Sequence, residues 1–248
     1  MKPLIRRGGW TAAIRPLADG EAVAAIGDVH GQDDLFEALL DALSPDLRAA
    51  PRATLVQLGD LVDRGPGSLA ALRRAKAGLP GVESVTLMGN HEDRMLSAIL
   101  TDDPEEHAMW LEFGAGETLA EAGVSFDRPD WREVFASALG RDLIDWLTQL
   151  PKLHRVGDLA FVHAGLDPAL PLSEQSPRTL MWTRRPWLES RGPYDAGVAV
   201  IHGHTPQPQV DLSHPHRVNL DTGAFRTGAL SALLIVGDRM RIVQAVRP

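Results

Sequence analysis

The feature that most constrains the fold is a repeated unit, a short apolar run followed at once by a glycine-containing polar turn. The runs AVAAI, TLVQL and VTLM lead into GDVHG, GDLVDRG and GNHE. Each run has the length of a strand and lacks polar alternation, which is typical of strands buried on both faces. Helix-like segments over 33–43 and 68–77 lie between the runs. This order of elements predicts an α/β fold with a parallel sheet at its core.

The rest of the chain completes this outline. Residues 101–150 lack strand-like runs and contain three tryptophans, so we expect a helical insertion there. Strand-like runs then return, and the last two, 230–236 and 240–246, are separated by a Gly-Asp pair that suits a hairpin turn. The sequence shows no repeat and no clear linker, which predicts one domain over residues 1–248.

Composition excludes several classes of protein. The chain has no cysteine, which rules out a disulfide framework, thiolate-bound zinc or iron–sulfur clusters and a thiolate nucleophile. Its 25 Lys and Arg against 33 Asp and Glu give a formal net charge of −8. This balance argues against nucleic acid or an anionic membrane as a partner, because there is no excess of positive charge. The sequence shows neither a targeting segment nor a membrane-spanning run, which predicts a cytoplasmic protein, and it leaves the oligomeric state open.

Side chains that can bind metal ions follow five of the predicted strands. They are Asp28 and His30, Asp60, Asn90, His163 and His204. We expect them to converge, because the carboxyl ends of parallel strands lie at one edge of a sheet. A lone histidine would usually be structural or exposed. Five strand ends that each carry Asp, Asn or His favour a metal site instead.

Six candidate ligands exceed what one catalytic metal needs. Two divalent ions about 3.5–4 Å apart that share a carboxylate would use all six and activate a bridging water, as in phosphate ester hydrolysis. Oxygen and imidazole ligands suit Mn²⁺, which we favour, and also Fe, Zn or Co. The sequence has no P-loop and no GxGxxG, HExxH or GxSxG motif, so other common hydrolase chemistries lack their usual support.

The motifs resemble those of the calcineurin-like metallophosphoesterases, and in particular the bacterial and phage members of the phosphoprotein phosphatase branch. They are GDVHG (27–31), GDLVDRG (59–65), GNHE (89–92), HAG (163–165) and HGHTP (202–206), with further similarity at WLEFGAGETL (110–119), LMWTRRPWL (180–188) and LDTGAFRTGALSALLI (220–235). They follow the family order over about 23–236. The resemblance implies a β-sandwich of two mixed sheets flanked by helices, with the helical insertion near 101–150.

The resemblance also implies roles for single residues. The first metal would be bound by Asp28, His30 and Asp60, and the second by Asp60, Asn90, His163 and His204. His91 would be the general acid, and Asp63 would orient it as an imidazolium. Arg64 and Arg184 would bind phosphate oxygens with their planar guanidinium groups. Arg185 follows directly, and the position of Arg184 within WTR favours Arg184 for this contact.

For the function, the resemblance favours hydrolysis of phosphate monoesters by a serine/threonine protein phosphatase, with phosphotyrosine as a further substrate. Pro206 stands where many relatives outside this branch have a ligand histidine, which argues against nuclease and phosphodiesterase relatives. The first alternative is a symmetrical dinucleoside tetraphosphate hydrolase, because such enzymes resemble the chain in the same motifs. The second is a non-catalytic phosphate-binding module, although such modules normally lack a ligand or the acid. We therefore expect a phosphoprotein, or else a small phosphoester or dinucleotide, as the substrate.

Overall fold

The apolar runs form the inner strands of two sheets in the computed structural model, which describes residues 2–248. The strands are β1 (Leu4–Arg7), β2 (Thr11–Ala12), β3 (Glu21–Ile26), β4 (Arg52–Gln57), β5 (Glu83–Thr86), β6 (Leu153–Val156), β7 (Leu159–Val162), β8 (Ala199–His202), β9 (Arg217–Asn219), β10 (Ala229–Val236) and β11 (Arg239–Val246). The helices are α1 (Asp33–Ala49), α2 (Ser68–Ala77), α3 (Asn90–Leu100), α4 (Pro104–Glu112), α5 (Ala115–Glu121), α6 (Trp131–Leu139), α7 (Arg141–Thr148), α8 (Pro177–Trp182) and α9 (Ala224–Thr227).

The two sheets are mixed, as the resemblance implied. The first has the order β1-β11-β10-β3-β4-β5, and β2 also pairs with β11. The second has the order β6-β7-β8-β9. The predicted parallel pairing holds for β3, β4 and β5 and for β7, β8 and β9. The remaining neighbours are antiparallel, including the predicted hairpin in which Val236 pairs with Arg239 across the Gly-Asp turn.

The sheets pack face to face as a sandwich. Val23 and Leu233 of the first sheet share an apolar cluster with Phe161 and Ile201 of the second. Helices cover the outer face of the first sheet, where Phe36 of α1 and Leu72 of α2 are buried against it. Apolar surface is thereby removed from water on both faces of the first sheet, which explains why its central strands lack polar alternation.

The predicted insertion is helical and contains α4 to α7. Trp110 and Trp131 are buried, with ring centroids 5.9 Å apart, so these two side chains pack the inside of the insertion. Within residues 2–248, none of the helices combines the length and apolar character needed to cross a membrane.

Candidate metal centre and catalytic cleft

The carboxyl ends of β3, β4, β5, β7 and β8 meet in one place, and the segment after each of them carries a candidate metal-binding residue, which after β5 is the first residue of α3. All six candidate ligands are buried, and the most exposed of them, His204, is only 8% exposed. Polar side chains that are buried together need partners or a bound ion, because losing hydration without compensation is costly. The strand ends therefore converge on one buried polar cluster.

The backbone around these residues is strained. Within residues 2–248, positive φ outside glycine occurs at His30, Asp60, Asp63, Arg64 and His204, with values from 46° to 71°. Each is one of the candidate site residues. Such conformations cost about 1–3 kcal/mol each, and they persist where the surroundings fix them, most often at functional sites. The turns are bent so that these side chains face one another.

One group of candidate ligands surrounds Asp60 Oδ1 and the amide oxygen of Asn90. His163 Nε2 lies 3.3 Å from Asp60 Oδ1 and 2.9 Å from Asn90 Oδ1. His204 Nδ1 lies 2.7 Å from the same Asn90 oxygen and 3.2 Å from His163 Nε2. The other nitrogen of His163, Nδ1, donates to the Leu58 carbonyl at 2.9 Å, which leaves Nε2 facing the group. This outer hydrogen bond orients the ring as in metal-ligating histidines.

A second group of candidate ligands lies next to the other carboxylate oxygen of Asp60, Oδ2. His30 Nε2 is 3.5 Å from Asp60 Oδ2, and His30 Nδ1 donates to the Val62 carbonyl at 2.9 Å. Asp60 therefore stands between the two groups, where a shared ligand would lie. Asp28 is joined to them less directly, since its Oδ2 accepts the backbone N–H of His204 at 3.0 Å. Gly203 permits this approach, because a Cβ at that position would overlap Asp28 Oδ1.

The charges in this cluster favour a bound cation. Burial raises the pKa of Asp28 well above its usual value, and the nearby carboxyl of Asp221 raises it further. Burial opposes a charge on His163 as well, but the charge and hydrogen bond of Asp60, together with the charge of Asp28, raise the pKa of His163 to about 10. Carboxylate, amide and imidazole donors around a common carboxylate fit divalent ions such as Mn²⁺ or Zn²⁺. The residues present thus fit a centre of two metals.

Glu92 supports the site, although the sequence did not single it out. It is fully buried, and its carboxylate accepts backbone N–H groups from Asp60 at 2.8 Å, Leu61 at 2.7 Å and Val62 at 3.1 Å. Burial raises its pKa to about 7, and the charge of Asp60 acts in the same direction. Glu92 ties the turn that carries Asp60 to the start of α3. Its place three residues after Gly89, at the N-terminus of a helix, is the capping signal that could have identified it.

His91 and Asp63 form a buried pair. His91 Nδ1 lies 2.7 Å from Asp63 Oδ2, and both side chains are at most 1% exposed. The Trp110 indole N–H donates to the Asp63 carboxylate at 3.2 Å, and the Thr118 hydroxyl donates to it at 2.8 Å. A carboxylate that accepts three donors orients His91 through Nδ1–H. In this orientation His91 Nε2 faces the buried ligand cluster, 3.9 Å from Asp60 Oδ2.

Asp60, Asn90, His91 and His204 of this cluster line a cleft of about 390 Å³. Arg64 and Arg184 line it, whereas the side chain of Arg185 is 82% exposed and pairs with Glu189 at 3.1 Å. The guanidinium carbon of Arg64 lies 4.9 Å from the ring centre of Phe225, another residue of the cleft wall. Two cations at the edge of a buried ligand cluster form a surface suited to phosphate oxygens.

Comparison with known proteins identifies the family. The family model of the calcineurin-like phosphoesterases matches residues 22–233 of the sequence, and this range includes every candidate site residue. The chain belongs to that family. It is therefore a metallophosphoesterase, and its family membership argues against the non-catalytic module considered above.

The chain is similar to two curated relatives named symmetrical bis(5'-nucleosyl)-tetraphosphatase. It is 33% identical to the protein of Chromohalobacter salexigens over 190 residues, which is 75% of this chain and 59% of that protein. It is 38% identical to the protein of Dechloromonas aromatica over 147 residues, which is 59% of this chain and 45% of that protein. The matches thus span about half the length of these relatives.

Solved structures share the fold of this phosphoesterase. A crystal structure described as a candidate diadenosine tetraphosphatase matches with a TM-score of 0.66 and 22% identity, covering 94% of this chain and 97% of that one. A cold-active protein-tyrosine phosphatase of a Shewanella species matches with a TM-score of 0.58 and 20% identity, covering 92% and 81%. These likenesses confirm the predicted fold class.

The prediction that the chain is a serine/threonine protein phosphatase is wrong. The curated relatives are named as dinucleoside tetraphosphate hydrolases, which matches the first alternative instead. The physical reason is that the five motifs supply the candidate metal ligands together with His91, Asp63 and Arg64, and both kinds of enzyme resemble the chain in these motifs. Motifs of this kind describe the chemistry at the scissile phosphate and carry no information on whether the rest of the substrate is a protein or a nucleotide.

Proposed function

We propose that this phosphoesterase cleaves dinucleoside tetraphosphates symmetrically into two nucleoside diphosphates. The observation that carries the proposal is the match to relatives named for this activity, over a region that includes every candidate site residue. We propose further that residues 1–248 act as one domain, with the motif-bearing part at about 23–236.

Two divalent metals, with Mn²⁺ favoured, would be held by the six buried ligands. Asp28, His30 and Asp60 would bind the first, and Asp60, Asn90, His163 and His204 the second. When bound, such a pair supplies an activated water and neutralises charge on the phosphoryl oxygens. Metal analysis of the purified protein by mass spectrometry tests both the number and the identity of the ions.

The protein side chains would then do three things. Arg64 and Arg184 hold nonbridging oxygens of the phosphate under attack and oppose its growing negative charge. Asp63 keeps the His91 ring in place through Nδ1–H, at 2.7 Å. As the bond from phosphorus to the bridging oxygen breaks, His91 Nε2–H donates its proton to that oxygen, which leaves as part of a nucleoside diphosphate.

The direct test is hydrolysis of diadenosine tetraphosphate by the Mn²⁺-loaded protein, with products separated by anion-exchange chromatography. We expect two ADP for each substrate consumed. AMP and ATP as products would contradict symmetrical cleavage. An absence of turnover by a protein that still hydrolyses a simple phosphate ester would contradict the assigned substrate.

The neighbouring arginines provide a matched pair of variants. We expect Arg184→Ala to lower kcat/KM for diadenosine tetraphosphate by roughly tenfold to a hundredfold, because hydrogen bonds to charged groups contribute about 1.5–3 kcal/mol. Arg185→Ala removes the same charge from an exposed side chain outside the cleft and should change kcat/KM by less than about twofold. Steady-state kinetics of the two variants check this, and equal losses would contradict the placement of Arg184.

A further inference from the structure

The cleft has a wall that the hydrolytic chemistry does not use. Phe113, at the end of α4, and Trp182, at the end of α8, both line it and are partly exposed. Their ring centres are 5.7 Å apart in an edge-to-face arrangement. Aromatic rings are normally removed from water, so rings that stay partly open beside a charged cluster mark a place where an apolar or aromatic group can pack.

This wall begins at the proposed general acid. The ring centre of Phe113 lies 5.2 Å from that of His91, and Trp182 lies beyond Phe113. Since His91 protonates the departing oxygen, the wall lies on the side where the leaving group separates. In a dinucleoside tetraphosphate cut symmetrically, that leaving group carries its base one ribose and two phosphoryl groups away from the broken bond.

The two rings are fixed before any ligand arrives. Arg94 lies against both, with its guanidinium carbon 5.7 Å from the ring centre of Phe113 and 5.2 Å from that of Trp182, and it pairs with Glu106. The Trp182 indole N–H donates to Asp93 at 3.2 Å. An aromatic face that is already ordered loses little entropy when a base stacks on it.

The wall is also hydrogen-bonded to the turn that carries Arg64. The backbone N–H of Arg64 donates to the carbonyl of Gly114, the residue after Phe113, at 3.0 Å. Glu112, the residue before Phe113, is exposed and lines the same cleft. A carboxylate there repels phosphate but accepts hydrogen bonds from hydroxyl or amino groups, which separates a phosphate end of the cleft from a nucleoside end.

From this arrangement we propose that Phe113 and Trp182 form a stacking surface for the base of the leaving nucleoside diphosphate, with Glu112 accepting hydrogen bonds from its sugar or its amino group. The inference rests on the proposed function and adds the residues that select a nucleotide. Phe225 lies against the guanidinium of Arg64 and the ring of His30, with guanidinium carbon and ring centres 4.9 Å and 5.4 Å away, so it belongs to the metal and phosphate end of the cleft and is not part of this surface.

The test measures binding, so that it does not depend on turnover. Dissociation constants of ADP and of inorganic pyrophosphate are measured by calorimetry for the Mn²⁺-loaded protein. We expect Trp182→Ala and Phe113→Ala each to weaken ADP binding about tenfold, in the range known for loss of a base–aromatic stack, and to change pyrophosphate binding less than about twofold. Trp182→Phe should recover most of the loss, because it restores a flat aromatic face.

Phe126→Ala is the matched control, because Phe126 also belongs to the insertion but packs against Trp131 and does not line the cleft. It should leave both constants unchanged. Equal weakening of ADP and pyrophosphate binding in Trp182→Ala, or unchanged ADP binding in both alanine variants, would overturn the stacking surface. Selective loss of ADP binding without any cleavage of diadenosine tetraphosphate would instead keep the surface and reject the proposed substrate.

Discussion

Replacing His91 with asparagine is expected to lower kcat on a simple alkyl phosphate by about 10²–10⁴-fold, the usual contribution of a positioned general acid. Asparagine keeps an N–H that can reach Asp63 but cannot donate a proton to a departing oxygen. The loss on diadenosine tetraphosphate should be smaller, because a nucleoside diphosphate is a far weaker base than an alkoxide and leaves with less help. Steady-state rates on both substrates measure the difference.

His154→Asn is the control for this experiment, since His154 is a partly buried histidine on β6, outside the cleft. It should retain both activities. Full activity of His91→Asn on the alkyl phosphate would show that the acid has been assigned to the wrong residue. An equal loss on the two substrates would indicate that His91 acts by binding phosphate and not by transferring a proton.

Replacing Asp60 with asparagine is expected to have the largest effect of any single ligand. Its two oxygens face different histidines, His163 at 3.3 Å and His30 at 3.5 Å, so one change removes a negative charge from both groups. Loss of outer-shell partners costs about 10–100-fold in metal affinity or activity, and loss of a shared ligand should exceed about a hundredfold. Metal content should fall below two ions per chain in mass spectrometry, with hydrolysis falling in parallel.

The Asp60→Asn variant would keep the backbone N–H that Glu92 accepts, so the turn should keep its shape, and circular dichroism can verify that the fold is intact. Asp211→Asn is a suitable control, because Asp211 is an exposed acid on a loop. Two tightly bound ions and normal hydrolysis in Asp60→Asn would contradict a shared carboxylate.

Much of the site could be predicted because strand ends and tight turns are local features. The segments that place Asp28, Asp60 and Asn90 each combine an apolar strand with a glycine turn, and the parallel pairing of β3, β4 and β5 brings them together. The antiparallel edge of the first sheet was harder to predict. All four residues of β1 are exposed, so the sequence carries no burial pattern there.

The supporting contacts could not be predicted, because they join residues far apart in sequence. Trp110 and Thr118 reach Asp63 across about fifty residues, and their motif alone does not show which group they hold. The prediction of a phosphoprotein substrate failed for a related reason. The proposed base-binding surface joins Phe113, which follows α4, to Trp182 at the end of α8, and no single motif contains both residues.

The carboxylate of Glu92 has a consequence for the thermodynamics of metal uptake. By holding three successive N–H groups of the turn at residues 60–62, it fixes the shape of that turn as part of the folded core. The conformational entropy of ordering the turn is then lost when the chain folds and not when an ion arrives. A preorganised centre of this kind would bind metal with a smaller entropic penalty, so we expect Glu92 to contribute to metal affinity without being a ligand.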